Sequence, residues 1–345
     1  MTRVVAVTPN PAWDVTYGVD RLEPGESLRV RTATGRAGGK GVNVARVART
    51  LGRPSLVVTT AGGPLGAAFR DDLEAAGQDA LLVPVTGPTR QSVTVVPADG
   101  AHPTVLNEPG AAPSGAEWSA LVDAVARAAA PGDVVTVSGS LPPGTTQDRF
   151  ADLLGAACGT GALVVVDTSG PALRWAAQAG AHLLKPNRAE LADATGLSDP
   201  ADAVAALQRL GAGDVVVTDG AAGMTAYTPG AGGPRVVARA RLSGPPLAGN
   251  PTGAGDAAAA ALAVGLAEQG PESGPERGTQ HRPEDGPQHR PQDGPRHHPQ
   301  DGPAGLGPDL LALAVAASAA AVLRPVAGDV DPADVAALRT RVVLT

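Results

Sequence analysis

The chain of 345 residues is 43% hydrophobic, enough for a substantial core, yet only 2% aromatic, so that core must be built from Val, Leu and Ala. With 27 basic against 34 acidic side chains and a formal net charge of −7, it offers no general attraction for nucleic acid or an anionic membrane, and any positive site must be local. The single cysteine, Cys158, excludes an intramolecular disulfide; with no signal-peptide layout ahead of Val4 and no uninterrupted apolar run of spanning length, a cytoplasmic protein is expected.

Arg3 to Thr8 reads as a short buried strand ending at Pro9-Asn10-Pro11, and Asp14 follows where open α/β sheets place ligand groups. Val15–Val19 and Ser27–Thr34, separated by Pro24-Gly25, alternate as half-exposed antiparallel strands do, which predicts a small polar sheet beside the main body. The stretch Gly35-Arg36-Ala37-Gly38-Gly39-Lys40-Gly41-Val42-Asn43 then opens a helix ending near Gly52. It fits neither common phosphate-loop pattern: Gly41 stands where the Walker pattern needs Ser or Thr, and Val44 where the dinucleotide pattern needs glycine. Lys40 and Asn43 on the helix's first turn still mark it as a candidate site.

From Ser55 strands alternate with helices: strand Leu56–Thr60, helix Leu65–Ala76, strand Ala80–Pro84. This order indicates a parallel sheet covered on both faces. Thr89–Val96 and Thr104–Leu106 read as a half-polar hairpin, with Arg90 at its start either a solvated arginine or an anion clamp. Helix Ser114–Ala129, strand Val134–Val137 and helix Gln147–Cys158 continue the alternation, and Ser138 stands at a strand's carboxyl end.

Strand Leu163–Val166 ends at Asp167, and strand His182–Leu184 leads into Lys185-Pro186-Asn187-Arg188-Ala189-Glu190. The spacing of Asn187 and Glu190 is that of a capping box; it equally suits two oxygen ligands near a hydrated magnesium, and spacing does not separate the two. Helix Pro200–Leu210 and strand Val215–Thr218 precede Asp219–Gly223, whose glycines suit a tight turn against which a nucleotide could lie.

Gly249-Asn250-Pro251-Thr252-Gly253-Ala254-Gly255-Asp256 runs directly into the alanine-rich segment Ala257–Leu266, a strong helix former. A helix start presents amides without internal partners and partial positive charge, hence an anion site. Asp256 beside it reads either as a carboxylate favourable to the helix dipole or as a base near a transferring phosphoryl group. From Pro271 to Pro303 no Ala, Val, Ile, Leu, Met, Phe, Trp, Tyr or Cys occurs, and an eight-residue His/Pro/Gln/Asp/Gly repeat appears; with nothing to bury, it is expected to be a disordered insertion at 271–303. Helical segments are expected again at Pro308–Leu323 and Asp331–Val342.

Three motifs together, Thr8-Pro9-Asn10-Pro11-Ala12-Trp13-Asp14, Gly38-Gly39-Lys40-Gly41-Val42-Asn43-Val44-Ala45-Arg46 and Thr252-Gly253-Ala254-Gly255-Asp256, with Lys185–Glu190 between the last two, resemble the PfkB/ribokinase family of sugar kinases. Within it the branch of 1-phosphofructokinases and tagatose-6-phosphate kinases is the most similar. The resemblance implies one kinase domain over 1–345: an α/β fold, a ribokinase-like three-layer α/β/α sandwich with a mostly parallel sheet, and a small β-sheet lid at about 15–34 and 89–106. It implies Asp256 as catalytic base and Gly253, Ala254 and Gly255 as anion hole. Asp14, Gly38, Gly39 and Asn43 would hold the sugar, with Lys40, Arg90 and Ser138 also on the acceptor side. Lys185, Asn187, Thr218, Gly220 and Gly223 would line the ATP site, with Asn187 and Glu190 serving Mg2+.

The activity so implied is ATP-dependent phosphorylation of a phosphorylated ketohexose, fructose 1-phosphate first, with tagatose-6-phosphate or fructose-6-phosphate kinase as the alternative. A sugar-phosphate-binding regulator without turnover is the reading from another class. A homodimer through the β-lid is the assembly that resemblance suggests.

Overall fold

A computed structural model describes residues 2–100, 102–245, 247–270 and 305–345. The repeat expected as an insertion at 271–303 lies outside the described residues.

From β1 (Val4–Thr8) the chain runs out into β2 (Ala12–Val19) and β3 (Thr32–Gly38), and returns through α1 (Lys40–Thr50), β4 (Ser55–Ala61), α2 (Gly63–Ala75) and β5 (Ala80–Pro84). The hairpin β6 (Arg90–Pro97) and β7 (Thr104–Asn107) then joins β2 and β3 in a separate sheet of order β3-β2-β6-β7. A regular alternation follows: α3 (Gly115–Ala128), β8 (Val134–Ser138), α4 (Gln147–Gly159), β9 (Leu163–Asp167), α5 (Pro171–Gln178), β10 (Leu183–Leu184), α6 (Arg188–Thr195), α7 (Pro200–Leu210) and β11 (Asp214–Thr218). The chain closes with a 3-10 turn at Gly220–Ala222, β12 (Met224–Thr228), β13 (Arg235–Leu242), α8 (Ala254–Gln269), α9 (Pro308–Val322), α10 (Pro332–Arg339) and β14 (Val342–Leu344).

Among the described residues the main sheet has the order β14-β13-β12-β11-β10-β9-β8-β1-β4-β5. Every pair from β5 to β11 along that order is parallel, and β12, β13 and β14 add an antiparallel edge. β1 shows why both faces are covered. All five of its residues are buried, Val4 and Ala6 against one core and Val5 and Val7 against the other. One core is built with α1, α8, α9 and α10 and the Phe69 and Leu73 side chains of α2; the other with α3, α4, α5, α6 and α7. The result is a three-layer α/β/α sandwich with a small separate sheet.

Chain order leaves β1 in opposite directions, to β4 and β5 on one side and to β8, β9, β10 and β11 on the other. That reversal opens a crevice at the strands' carboxyl ends, the general location of ligand sites in such sheets. α8 is the helix that fills the core behind it: Ala257, Ala258, Ala259, Ala260, Ala261 and Leu262 are all fully buried. A helix apolar all round is a buried helix, and its small side chains let α1, α9 and the sheet approach closely.

Several elements differ from the sequence expectation. β2 starts at Ala12, so Asp14 lies within the small sheet rather than on the turn after β1. The second polar strand is Thr32–Gly38, not Ser27–Thr34, because Gly35 is needed inside it: a Cβ there would lie 2.7 Å from Trp13 Nε1, so the indole crosses the strand at the glycine. Ala254, Gly255 and Asp256 belong to α8 instead of a preceding loop. α5, β12 and β13 are additional elements, and the segment expected as helix to Val342 stops at Arg339 and ends in β14.

Candidate active site

Two helix N-termini point into the crevice between the sheets. α1 begins after Gly39 (φ 101°) and α8 after Gly253 (φ 87°), both in conformations that favour glycine, and neither has a side-chain cap. By contrast, Ser114 caps α3 and Asn187 caps α6. In α8 the Ala254 amide is turned onto Pro251 O at 3.2 Å, and the first intrahelical bond runs from the Ala257 amide to Gly253 O at 2.9 Å. By helix geometry the Gly255 and Asp256 amides are then the donors this turn can offer to an anion. Of the three residues expected to form the anion hole, Ala254 therefore has its amide already engaged.

The crevice is a cleft of about 650 Å³. Asp14, Gly39, Lys40, Asn43, Arg90, Glu190, Gly253 and Asp256 line it, so most of the expected acceptor and catalytic residues converge on one space. Asp256 is buried and accepts a hydrogen bond from Asn43 Nδ2 at 2.8 Å. Burial pushes its carboxyl up to about 7; Lys40 opposes the rise and Asp167 adds to it. On the small-sheet side, burial raises Asp14 to about 6 against the Gly39 amide, Arg90, Arg36 and Arg46. Gly38 makes room for that carboxylate, since a Cβ there would lie 2.0 Å from Asp14 Oδ2.

Lys40 occupies the Asp256 side of the cleft. Its ammonium lies 3.2 Å from Asp167 Oδ1 and 3.7 Å from Glu190 Oε1, and these carboxylates raise its pKa, Asp167 foremost. Asp167, at the carboxyl end of β9, is buried between Lys40 and Lys185, whose Nζ is 3.1 Å from Oδ2. Burial alone would raise the Asp167 carboxyl, but the two ammonium groups hold it below its ordinary value. Arg90 is engaged elsewhere, donating to Asn10 O at 3.3 and 3.2 Å and to Glu108 O at 3.1 Å. Lys40 and Arg90 nonetheless line the same cleft, Lys40 beside Asp256 and Arg90 on the small sheet.

The remaining expected residues lie around this centre. Ser138 is buried at the end of β8, and Ser140 lines the cleft in its place. Lys185, expected in an ATP site, is 3% exposed and lies beneath the first turn of α8, where a Cβ on Gly255 would be 3.6 Å from its Nζ. Asn187 Oδ1 accepts the Glu190 amide at 2.8 Å and Glu190 Oε2 accepts the Asn187 amide at 2.9 Å, so the capping box is fully formed. Thr218 is bridged to Asn187, its amide donating to Pro186 O at 3.0 Å. Gly223 has a packing reason to be glycine, as a Cβ would meet Ala240 O at 2.1 Å, and Gly220 starts the 3-10 turn. Asn187, Thr218, Gly220 and Gly223 follow one another along the carboxyl ends of β10 and β11, beyond the lining of the cleft.

Sequence reasoning gave no role to Asn10, Arg36, Asp167, Asn250 or the segment 326–329, all of which build the site. A carboxylate ending a parallel strand was the available signal for Asp167. Arg36 and 326–329 meet only through tertiary contact, and no local pattern marks them.

The chain matches the family described as pfkB family carbohydrate kinase over residues 4–274. It is 33% identical to the ATP-dependent 6-phosphofructokinase isozyme 2 of Mycobacterium tuberculosis, covering 76% of this chain and 78% of that protein. It is 34% identical to the 1-phosphofructokinase of Xanthomonas campestris pv. campestris, covering 78% and 86%. Its structure is similar to that of phosphofructokinase-2 from Escherichia coli in complex with fructose-6-phosphate, with a TM-score of 0.77, 26% identity and 99% of each chain covered. A fold likeness extends to the Arabidopsis thaliana ribokinase complexed with ribose and ATP, at a TM-score of 0.64 and 23% identity. The three-layer sandwich with its small sheet is thus the ribokinase-like fold.

Proposed function

We propose that this chain, which belongs to the pfkB family of carbohydrate kinases and acts as a sugar-phosphate kinase, converts fructose 1-phosphate and ATP to fructose 1,6-bisphosphate and ADP. The observation that carries the reading is Asp256: a buried carboxyl with a pKa of about 7, on the first turn of an uncapped helix that opens on the cleft. A base works best when its pKa lies near the operating pH.

In this reading Asp256 takes the proton from the acceptor's 6-hydroxyl as that oxygen attacks the terminal phosphorus of ATP and the bond to the ADP oxygen breaks. Charge on the transferring group is met by the Gly255 and Asp256 amides and by the Lys40 ammonium, held in place by Asp167 and Glu190. Phosphoryl transfer has a loose transition state, so positioning and electrostatics supply most of the rate. Asp14 and Asn43 orient the sugar, and Arg90, with guanidinium N–H groups left over from its two carbonyl partners, meets the phosphate already present. Asn187, Thr218, Gly220 and Gly223 carry the nucleotide.

The donors present suit a magnesium ion that keeps most of its own water. Glu190 Oε1 faces the cleft, Asn187 Oδ1 is taken by the Glu190 amide, and among the described residues no three His, Cys, Asp or Glu side chains are grouped to hold a metal. Carried in on ATP, it would neutralise phosphate charge beside Glu190.

Fructose 6-phosphate is the second acceptor to weigh, because the Mycobacterium tuberculosis relative is a 6-phosphofructokinase and the Escherichia coli structure holds that sugar. Both acceptors give the same bisphosphate and differ in which end lies at Asp256. Leu28, Val30, Val105 and Leu106, apolar and exposed on the small sheet and its connection, favour a homodimer through that sheet. ADP release measured with fructose 1-phosphate, fructose 6-phosphate, tagatose 6-phosphate, fructose and ribose should show the highest kcat/KM for the first. A higher value for fructose 6-phosphate or tagatose 6-phosphate reverses the acceptor assignment, and no turnover with any sugar favours a binding-only regulator.

A further inference from the structure

We infer that Arg36 is a positioning residue that ties the acceptor wall of the cleft to the helix carrying Asp256. It rests on the reading of Asp256 as the base. Arg36 stands on β3 directly across from Asp14 on β2, so the two side chains project from paired positions of the small sheet. Its guanidinium leaves that sheet and grips the segment after α9. Nη2 donates to Ala327 O at 2.7 Å, and Nη1 donates to both carboxylate oxygens of Asp329 at 3.2 Å each. A planar fork held at three acceptors fixes direction as well as distance.

The gripped segment has no room to move independently of the reacting centre. A Cβ on Gly253, the residue that starts α8, would lie 2.8 Å from Ala327 Cα. A Cβ on Gly328 would lie 2.5 Å from Asn43 Oδ1, and Asn43 is the residue that donates to Asp256. Segment 326–328 is therefore wedged between the start of the catalytic helix and the partner of the base. On the other side, the next residue of β3 is pinned to the core: Ala37 O accepts from Arg46 Nη1 at 2.5 Å, and its amide donates to Asp72 Oδ2 at 3.0 Å. Arg36 thus sits at the root of the small sheet, between the carboxylate that faces the sugar and the backbone that backs the base.

Asp329 is the discriminating position, because it lies outside the cleft lining and is joined to it through Arg36. Steady-state kinetics of the full chain with MgATP and its preferred acceptor should show Asp329→Asn losing about tenfold in kcat with both KM values within about twofold. Arg36→Lys, which keeps the charge but not the fork, should lose less, about threefold, and Arg36→Gln with Asp329→Asn should lose no more than Arg36→Gln alone. A kcat for Asp329→Asn within about twofold of wild type, a rise confined to acceptor KM, or losses that multiply would each overturn the inference. Thermal melts establish that the variants fold; if Asp329→Asn does not, the kcat-against-KM split of Arg36→Lys decides. Normal turnover by Asp256→Asn would instead remove the base assignment, an outcome separate from the Arg36 and Asp329 results.

Discussion

Burial raises two carboxyls that line the cleft, Asp256 to about 7 and Asp14 to about 6; Asp256 must be ionised to take a hydroxyl proton, and Asp14 is the stronger acceptor for a sugar hydroxyl when ionised. The rate constant kcat/KM should therefore fall as pH drops through 7 and fall more steeply below 6; a profile flat to pH 5.5 would place the base elsewhere. The same shift has a stability consequence of fixed sign. The folded protein holds the Asp256 proton up to about pH 7, whereas the unfolded chain releases it near the ordinary value of 3.8. Asp256 then costs stability progressively as pH rises between these values, by up to roughly 4 kcal/mol above pH 7. Asp256→Asn, which can still accept from Asn43, should lower kcat about 10²–10⁴-fold. Its stability advantage in urea unfolding should be larger at pH 8 than at pH 5, and an advantage independent of pH would contradict the buried-acid account.

At the scale of elements, α8 depends on Gly253. Its φ of 87° is a conformation costly for other residues, and Ala327 fills the space a side chain would need. Gly253→Ala should cost about 1–2 kcal/mol from the backbone conformation and more from the displaced segment. A melt lowered by several degrees with kcat reduced more than either KM is expected; unchanged kcat would separate the helix start from catalysis. This element was legible in sequence because glycines, an acid and an alanine run are local signals. β13 could have been read too, since buried Ala238 and Ala240 alternate with exposed Arg235, Arg239 and Arg241. α5 also left a trace in the buried pairs Ala172, Leu173 and Ala176, Ala177, bounded by Gly170 and Gly180. Asp14 was legible as a residue but not as part of β2, because only the pairing with β3 reveals that the small sheet reaches back to Ala12. The Lys40–Asp167 pair and the Arg36–Asp329 link join residues more than a hundred positions apart, which no spacing rule connects.

For the whole molecule, the question is whether the described sandwich is sufficient for folding and turnover without the Pro/Gly/His-rich repeat. α8 and α9 flank that repeat in sequence and pack against each other in the core, with Gly265 opposite Leu310. Gln269 Nε2 donates to Gly305 O at 3.1 Å, so the chain positions on either side of 271–303 are already in contact. A linker of a few glycine and serine residues can span that gap. The repeat contains no apolar side chain to contribute to the core, whereas its length adds loop-closure entropy. If the repeat behaves as the flexible connection its composition predicts, each halving of its length returns about 0.6 kcal/mol, and replacing 271–303 with such a linker should stabilise the protein by about 1–2 kcal/mol. The shortened chain should keep its kcat/KM within about twofold, because the residues proposed for transfer all lie outside the replaced segment. Lower stability or a tenfold loss of kcat/KM would show that the repeat contributes contacts of its own to the sandwich or to the nucleotide.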